Sequence, residues 1–167
     1  MSQQEQKYCL DANVLINAWN QYYSKTISSG YWEILGLLGH RGRIFLPEYV
    51  KAEIVRTDDT LADWLLGSGI PIYSIDSRVM EIVSAIYAAD PRHALLVDNT
   101  KGRSLADPWV IAHAIAENAC VVTKENKVTS SDKRVKIPNV CEKMGVRCIN
   151  DFEMIRELGI RFSCAMN

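Results

Sequence analysis

The sequence has no apolar run long enough to cross a bilayer, and Met1 to Lys7 is polar where a secretory signal would be hydrophobic. From both absences we expect no bilayer-spanning helix, no signal peptide and a cytoplasmic protein. It has no CxxC pair. Its five cysteines, Cys9, Cys120, Cys141, Cys148 and Cys164, are odd in number and scattered, which excludes a disulfide framework and a zinc ribbon and leaves reduced, mostly buried thiols. Histidine is scarce: His40, His93 and His113 share no metal-ligand spacing, and His113 falls on a helical pattern beside core positions, so its reading is structural. Charge of one sign is also missing. The 19 basic and 20 acidic residues leave a net charge of -1, which argues against coating nucleic acid through bulk charge and makes any such contact local. Neither an internal repeat nor a low-complexity tract is present.

What remains is a chain of 167 residues, 48% hydrophobic, enough for one full core and too short for two, so residues 1–167 read as a single domain. Tyr8 to Leu10 is a β-prone run. Asp11 follows, and then Leu15, Ala18, Trp19 and Tyr22 recur at helical spacing. Arg43 to Leu46 reads as a second strand, with Pro47 as the first residue of a helix through Val50, Ile54 and Val55. Leu61 to Leu66 continues helically, Ile70 to Ile75 forms a short strand, and Val79, Ile82, Val83, Ile86 and Tyr87 make an amphipathic stripe. Asp90-Pro91 reads as a cap or turn. Asp107-Pro108 opens a helix, with Asp as N-cap and Pro first, whose buried face is Val110, Ile111, Ala114 and Ile115 up to Asn118. The strand Cys120 to Thr123 follows. Beyond a lysine-rich loop come a helix from Pro138 to Met144 ending at Gly145, a strand Val146 to Ile149, and a helix Phe152 to Leu158 stopped by Gly159. Such alternation predicts an α/β fold of three layers, α/β/α, around a central, mostly parallel sheet.

In sheets of that kind ligands bind beyond the carboxyl ends of the strands, and those positions are acidic here. Asp11 ends the first strand, Glu125 stands two residues past the strand ending at Thr123, Asp107 opens the helix feeding that strand, and Glu53 lies in the helix after the second strand. Two carboxylates about 4 Å apart repel by roughly 4 kcal/mol at an effective dielectric of about 20, so such a cluster needs a cation. Oxygen ligands without a supporting Cys or His set select Mg²⁺ or Mn²⁺ over zinc. An ion of that kind acidifies a water, aims it at a phosphodiester and neutralises phosphoryl charge, so the chemistry needs carboxylates and no nucleophilic side chain. Each acid has a bland alternative: Asp107 as a helix cap, Glu53 as a solvated helix residue. Asp11 is hardest to dismiss, because a carboxylate closing a buried strand is costly unless paired or metal-bound.

These segments resemble the PIN-domain nuclease family, many of whose members are toxins. The matching residues are Leu10-Asp11-Ala12-Asn13-Val14-Leu15-Ile16, Leu46-Pro47 with Glu53 in the next helix, Ala106-Asp107-Pro108-Trp109, and Val122-Thr123-Lys124-Glu125, in order over nearly the whole chain. The resemblance implies a divalent-metal site of Mg²⁺ or Mn²⁺ and hydrolytic cleavage of single-stranded RNA by an endoribonuclease. By matching positions it implies Asp11, Glu53 and Asp107 as metal-binding catalytic acids, Glu125 as a fourth catalytic acid, and Asn13 and Thr123 as residues orienting them or the attacking water. It also implies, for the toxin subgroup, an antitoxin protein covering the cleft, and self-association as a homodimer. The sequence departs from the family at Glu125, where many members carry Asp and where the longer side chain sets its oxygens farther out.

Lys124, Lys127, Lys133, Arg134 and Lys136 crowd the loop after the catalytic strand, and Lys101 and Arg103 precede Asp107. Of these, Lys101, Arg103, Lys124 and Lys127 are the candidates for an RNA-binding edge that offsets the acids' repulsion of phosphate, against the alternative of a solvated loop. Trp19, Trp32, Trp64, Trp109, Tyr22 and Tyr23 receive no role, since aromatics at helical spacing are more often core than base-stacking surfaces. Two other functions compete. A haloacid-dehalogenase-like phosphohydrolase would want a second Asp at position 13, where Asn13 stands, and a receiver domain would want an acidic pair after the first strand. A PIN-like module that has lost its metal and binds RNA or protein is the non-enzymatic reading.

Overall fold

The computed structural model describes residues 5–166 and is built on five strands that all run the same way. They are β1 (Tyr8–Leu10), β2 (Ile44–Pro47), β3 (Ile72–Tyr73), β4 (Cys120–Val122) and β5 (Cys148–Ile149), ordered β3-β2-β1-β4-β5 and paired in parallel throughout. The register sets Tyr8 beside Ile44 on one side and Cys120 on the other, and Leu10 beside Val122. Successive residues of a strand point to opposite faces, yet every residue of β1, β2 and β4 is buried. Both faces of the sheet centre are therefore covered, as a parallel sheet with helical crossovers requires. That is the predicted α/β/α arrangement. Met1–Gln4, the first part of the stretch read against a signal peptide, lie outside the described residues. Among the described residues no helix is long and apolar enough to cross a membrane.

The helices are α1 (Ala12–Asn17), continuing as a π-helical turn over Ala18–Tyr22, α2 (Ser29–His40), α3 (Glu48–Thr57), α4 (Asp59–Gly67), α5 (Ser77–Ala89), a 3-10 turn (Pro91–Leu96), α6 (Asp107–Glu117), α7 (Ile137–Met144) and α8 (Asp151–Glu157). Local chemistry explains most boundaries. Asp58, Asp76 and Asn150 accept from backbone N–H groups of the first turns of α4, α5 and α8. Asp90 does the same for the 3-10 turn, as the cap or turn reading expects. Gly145 closes α7 with φ 68°, where a side chain would be strained.

Several expectations are corrected. No element is assigned from sequence to Ser29–His40, yet this is the twelve-residue helix α2, placed by packing Tyr31, Trp32, Leu35 and Leu38 into the core. Pro47 ends β2 and stands before α3 in extended backbone, so it is not the first helical residue. Asp107 is likewise not the cap: Ala106 precedes the helix with no side-chain cap, and Asp107 and Pro108 are its first two residues. The strands are shorter than their apolar runs, β5 keeping only Cys148 and Ile149 of the four residues from Val146, because pairing with the short β4 sets its length. Three of the five thiols are buried, Cys148 is half-buried and Cys164 exposed.

Candidate active site

Chain order reverses direction at β1, which has β2 on one side and β4 on the other. At such a switch point the two departing connections separate and leave a crevice at the carboxyl ends of the strands. Asp11 leaves β1 there and Thr123 leaves β4. The two are joined directly: the Thr123 hydroxyl donates to Asp11 Oδ2 at 2.8 Å, while the backbone N–H of Ala12 donates to Asp11 Oδ1 at 2.8 Å. Thr123 Oγ1 also accepts from the Glu125 N–H at 3.1 Å and from Asn13 Nδ2 at 3.4 Å, and Asn13 Oδ1 accepts from the Lys124 N–H at 3.0 Å. Asn13 and Thr123 thus tie the loop after β4 to the first turn of α1 and hold the Asp11 carboxylate in one orientation.

Asp107 comes to the same place from α6, whose N-terminus lies at this end of the sheet because α6 runs back to feed β4. Asp11 is 4% exposed and Asp107 6%, and neither has a cationic partner among the described residues. Burial is the largest influence on both and pushes Asp11 up to about 7 and Asp107 up to about 9. The negative charges of Asp11, Glu125 and Glu53 raise Asp107 further against a bond from the Ser104 side chain, and those of Glu125 and Glu53 raise Asp11 against its bond from Thr123. Glu53, half-buried on α3, is itself raised by burial and by Glu125, with Arg56 opposing. All four predicted acids therefore share one field, and its sign is negative.

The four are not equivalent. Glu125 is turned away to α7: its Oε2 accepts from the Ile137 N–H at 3.0 Å and its Oε1 faces Lys136 Nζ at 3.4 Å. Among the described residues no three His, Cys, Asp or Glu side chains converge closely enough to enclose an ion by themselves. Such an open arrangement suits Mg²⁺ or Mn²⁺, which are commonly held by one or two carboxylates and keep several waters. The oxygen-only donor set and the mutual repulsion of two buried carboxylates fit a divalent cation of that type, with Asp11 and Asp107 as the direct candidates and Glu53, whose charge also raises both, as a further one.

The basic candidates separate. Lys124 Nζ is bound to Asp151 Oδ1 at 2.8 Å and lies over the rings of Phe152 and Tyr22, 4.1 and 4.9 Å from their centroids, so it is committed to the fold and ill placed to hold phosphate. Lys127 pairs with Glu142 at 2.9 Å on the surface. Lys101 and Arg103 are exposed on a turn closed by an antiparallel bridge between Asp98 and Arg103, just ahead of Asp107. Sequence reasoning missed Asp151, which is completely buried and receives Tyr22 OH at 3.0 Å as well as Lys124. At the head of α8 it reads like any first-turn acid, and only its depth reveals it. Ser104, with φ 58°, was also missed and had no signal. A separate cleft of about 470 Å³, lined by Asp90, His93 and Glu142 among others, contains none of the four acids.

Comparison with curated proteins finds no match. Among solved structures the chain is similar to one in the crystal structure of VapBC2 from Rickettsia felis bound to a DNA fragment from their promoter, at a TM-score of 0.56 and 18% identity, covering 87% of this chain and 98% of that one. At that identity the likeness concerns the fold, which is PIN-like. Residues 8–162 match the family described as a domain of unknown function, DUF4411, and the chain belongs to that family.

Proposed function

We propose that this protein, a single PIN-like domain, is a metal-dependent endoribonuclease that hydrolyses single-stranded RNA and acts as the toxin of a toxin–antitoxin pair. The observation that carries this reading is the convergence of two buried carboxylates, Asp11 and Asp107, distant in the chain, with no cationic partner among the described residues. A structural role would supply a partner, because uncompensated buried charge costs several kcal/mol. The toxin assignment draws on the fold shared with VapBC2, and the expected partners are an antitoxin protein over the crevice and a second copy of the chain.

Mg²⁺ or Mn²⁺ bound by Asp11 and Asp107, with Glu53 assisting, would offset the acids' charge, make an attacking water more acidic and withdraw charge from the phosphoryl oxygens. The chain's own residues prepare that event. Thr123 and the Ala12 N–H fix both oxygens of Asp11, so no rotation is needed when a ligand arrives. Asn13 pins the loop carrying Glu125, and Glu125 in turn holds the start of α7 against the site. Glu53, only partly buried, is the acid best placed to accept a proton from incoming water. Lys101 and Arg103 offer exposed positive charge to the flanking phosphates. The bond between Asn13 and the Lys124 N–H also weighs against haloacid-dehalogenase-like chemistry, which would need an acid free at that position.

The test is incubation of purified wild type and Asp107→Asn with single-stranded RNA, with Mg²⁺ or Mn²⁺ and then with chelator. Cleavage by the wild type alone, lost on chelation, is expected. Cleavage that survives both the substitution and chelation rules the mechanism out, and absence of Mn²⁺ binding by calorimetry would instead identify a module that has lost its metal.

A further inference from the structure

Eight of the fourteen Trp, Tyr and Phe side chains belong to one continuous packed group. Trp19, Trp32 and Trp64 contact one another at 4.8 to 6.1 Å between centroids, and Tyr31 links them to Tyr23, Tyr22, Phe152 and Phe162. Standing apart from that group, as Phe45 and Tyr73 also do, are Tyr49 and Trp109. They stack face to face across α3 and α6, 5.1 Å between centroids and 12° between planes, and touch no ring of the large group among the described residues. Tyr49 is 40% exposed although it is stacked on Trp109.

Their position relative to the acids is set by helix geometry. Tyr49 and Glu53 are four residues apart on α3, one turn and about 6 Å along the axis on the same side. Trp109 lies two residues beyond Asp107 on α6. On α3 the acid thus lies one turn from the aromatic on the same face, whereas on α6 Asp107 and Trp109, two residues apart, project from different sides of the helix.

We infer that the Tyr49–Trp109 stack is a platform for one unpaired nucleobase of the substrate, adding a third layer on the exposed Tyr49 beside the acids. This rests on the nuclease reading and deepens it. The acids of the crevice, in a protein of net charge -1, repel a phosphate backbone, and with Lys124 spent on Asp151 only Lys101 and Arg103 stand exposed just ahead of Asp107. Stacking is an attraction that needs no charge. It tolerates any base, because every base has a π-face, and it requires that the base be free of its neighbours, which a duplex does not allow. The platform therefore selects single-stranded substrate without selecting its sequence.

Binding is measured on the full chain in chelator, where no cleavage occurs, by fluorescence anisotropy of a labelled ten-nucleotide single-stranded RNA, its abasic counterpart and a duplex. Tyr49→Leu should weaken binding of the single strand about tenfold, the size of one stacked base, with Tyr49→Phe binding like wild type. Abasic substitution and duplex formation should weaken the wild type similarly and leave Tyr49→Leu little changed. Tyr49 is at the surface, so an unaltered melting temperature separates lost stacking from lost folding; Trp109→Leu serves as a second variant at the other layer. Equal affinity of Tyr49→Leu and wild type, or of intact and abasic strands, overturns the platform while leaving metal-dependent cleavage standing. Wild type that neither binds nor cuts single-stranded RNA overturns the nuclease reading and the platform together.

Discussion

Asp151 and Asp107 are both acids in the first turn of a helix, and both are buried, yet their surroundings differ in the one respect that decides what a buried charge is for. Asp151 receives an ammonium from Lys124 and a hydroxyl from Tyr22, and the ammonium is itself roofed by two aromatic rings. Asp107 is faced by Asp11, Glu125 and Glu53, with only the Ser104 side chain to help it. The first site is complete within the chain, so its charge serves the fold. The second is incomplete: burial and the neighbouring acids hold its carboxyl in the protonated form, and only a cation from outside would favour the ionised one. Burial alone does not mark a functional carboxylate; burial without a counter-charge does.

The comparison breaks most visibly in activity. Asp107→Asn should lower RNA cleavage about 10³-fold, equivalent to about 4 kcal/mol of transition-state stabilisation, while leaving the metal-free protein as stable as wild type or more so. A variant that both unfolds and loses cleavage would place Asp107 with Asp151 as a structural acid. Asp151→Ala should do the opposite, costing roughly 3 kcal/mol of stability by stranding Lys124, with urea denaturation as the measurement. Little change in the denaturation midpoint would mean that the Lys124 ammonium simply swings into water.

A pH titration sharpens the contrast further. Asp11 and Asp107 hold protons in the folded protein up to about 7 and about 9, whereas in the unfolded chain both ionise near the usual value of about 4. Between those limits the folded state binds more protons than the unfolded state, so the pair's contribution to stability falls as pH rises from about 4 towards 9. The metal-free melting temperature should decline across that window as the pair titrates. Saturating Mn²⁺ should flatten the decline by favouring the ionised pair, and Asp11→Asn with Asp107→Asn should abolish it. A metal-free profile that rises through neutral pH would contradict the depth of these carboxylates.

The smallest expected effect concerns the fourth acid. Glu125→Gln keeps an acceptor for the Ile137 N–H and loses only the charge facing Lys136, so cleavage should fall by about tenfold or less. A loss as large as that of Asp107→Asn would show that Glu125 leaves α7 and joins the acids during the reaction.

Much of this was legible before any coordinates. Apolar periodicity gave the strands at β1, β2 and β4 and the helices around Val79 and Val110, because buried faces must repeat with the geometry of the element that carries them. The placement of Asp11, Glu53 and Asp107 near strand ends was also legible, since parallel strands deliver their carboxyl ends to one edge. Helix α2 was not, because Gly36 and Gly39 dilute its pattern and only contact with the sheet orders it. The Asp107 cap was misread for a related reason: Asp-Pro is a good local helix start, and the tertiary fold used it one residue further in.

The sequence by itself determined the alternation of strand and helix, the order in which the acids arrive, and the lack of any cysteine or histidine set to compete with them. These are local properties, fixed by side-chain type and spacing. Only the tertiary structure decided which charges are answered: that Lys124 goes to Asp151, that Glu125 turns to α7, that Tyr49 leaves the aromatic core to meet Trp109, and that Asp11 and Asp107 are left facing each other. Pairing depends on distance through space between residues far apart in the chain, and no spacing along the sequence encodes it.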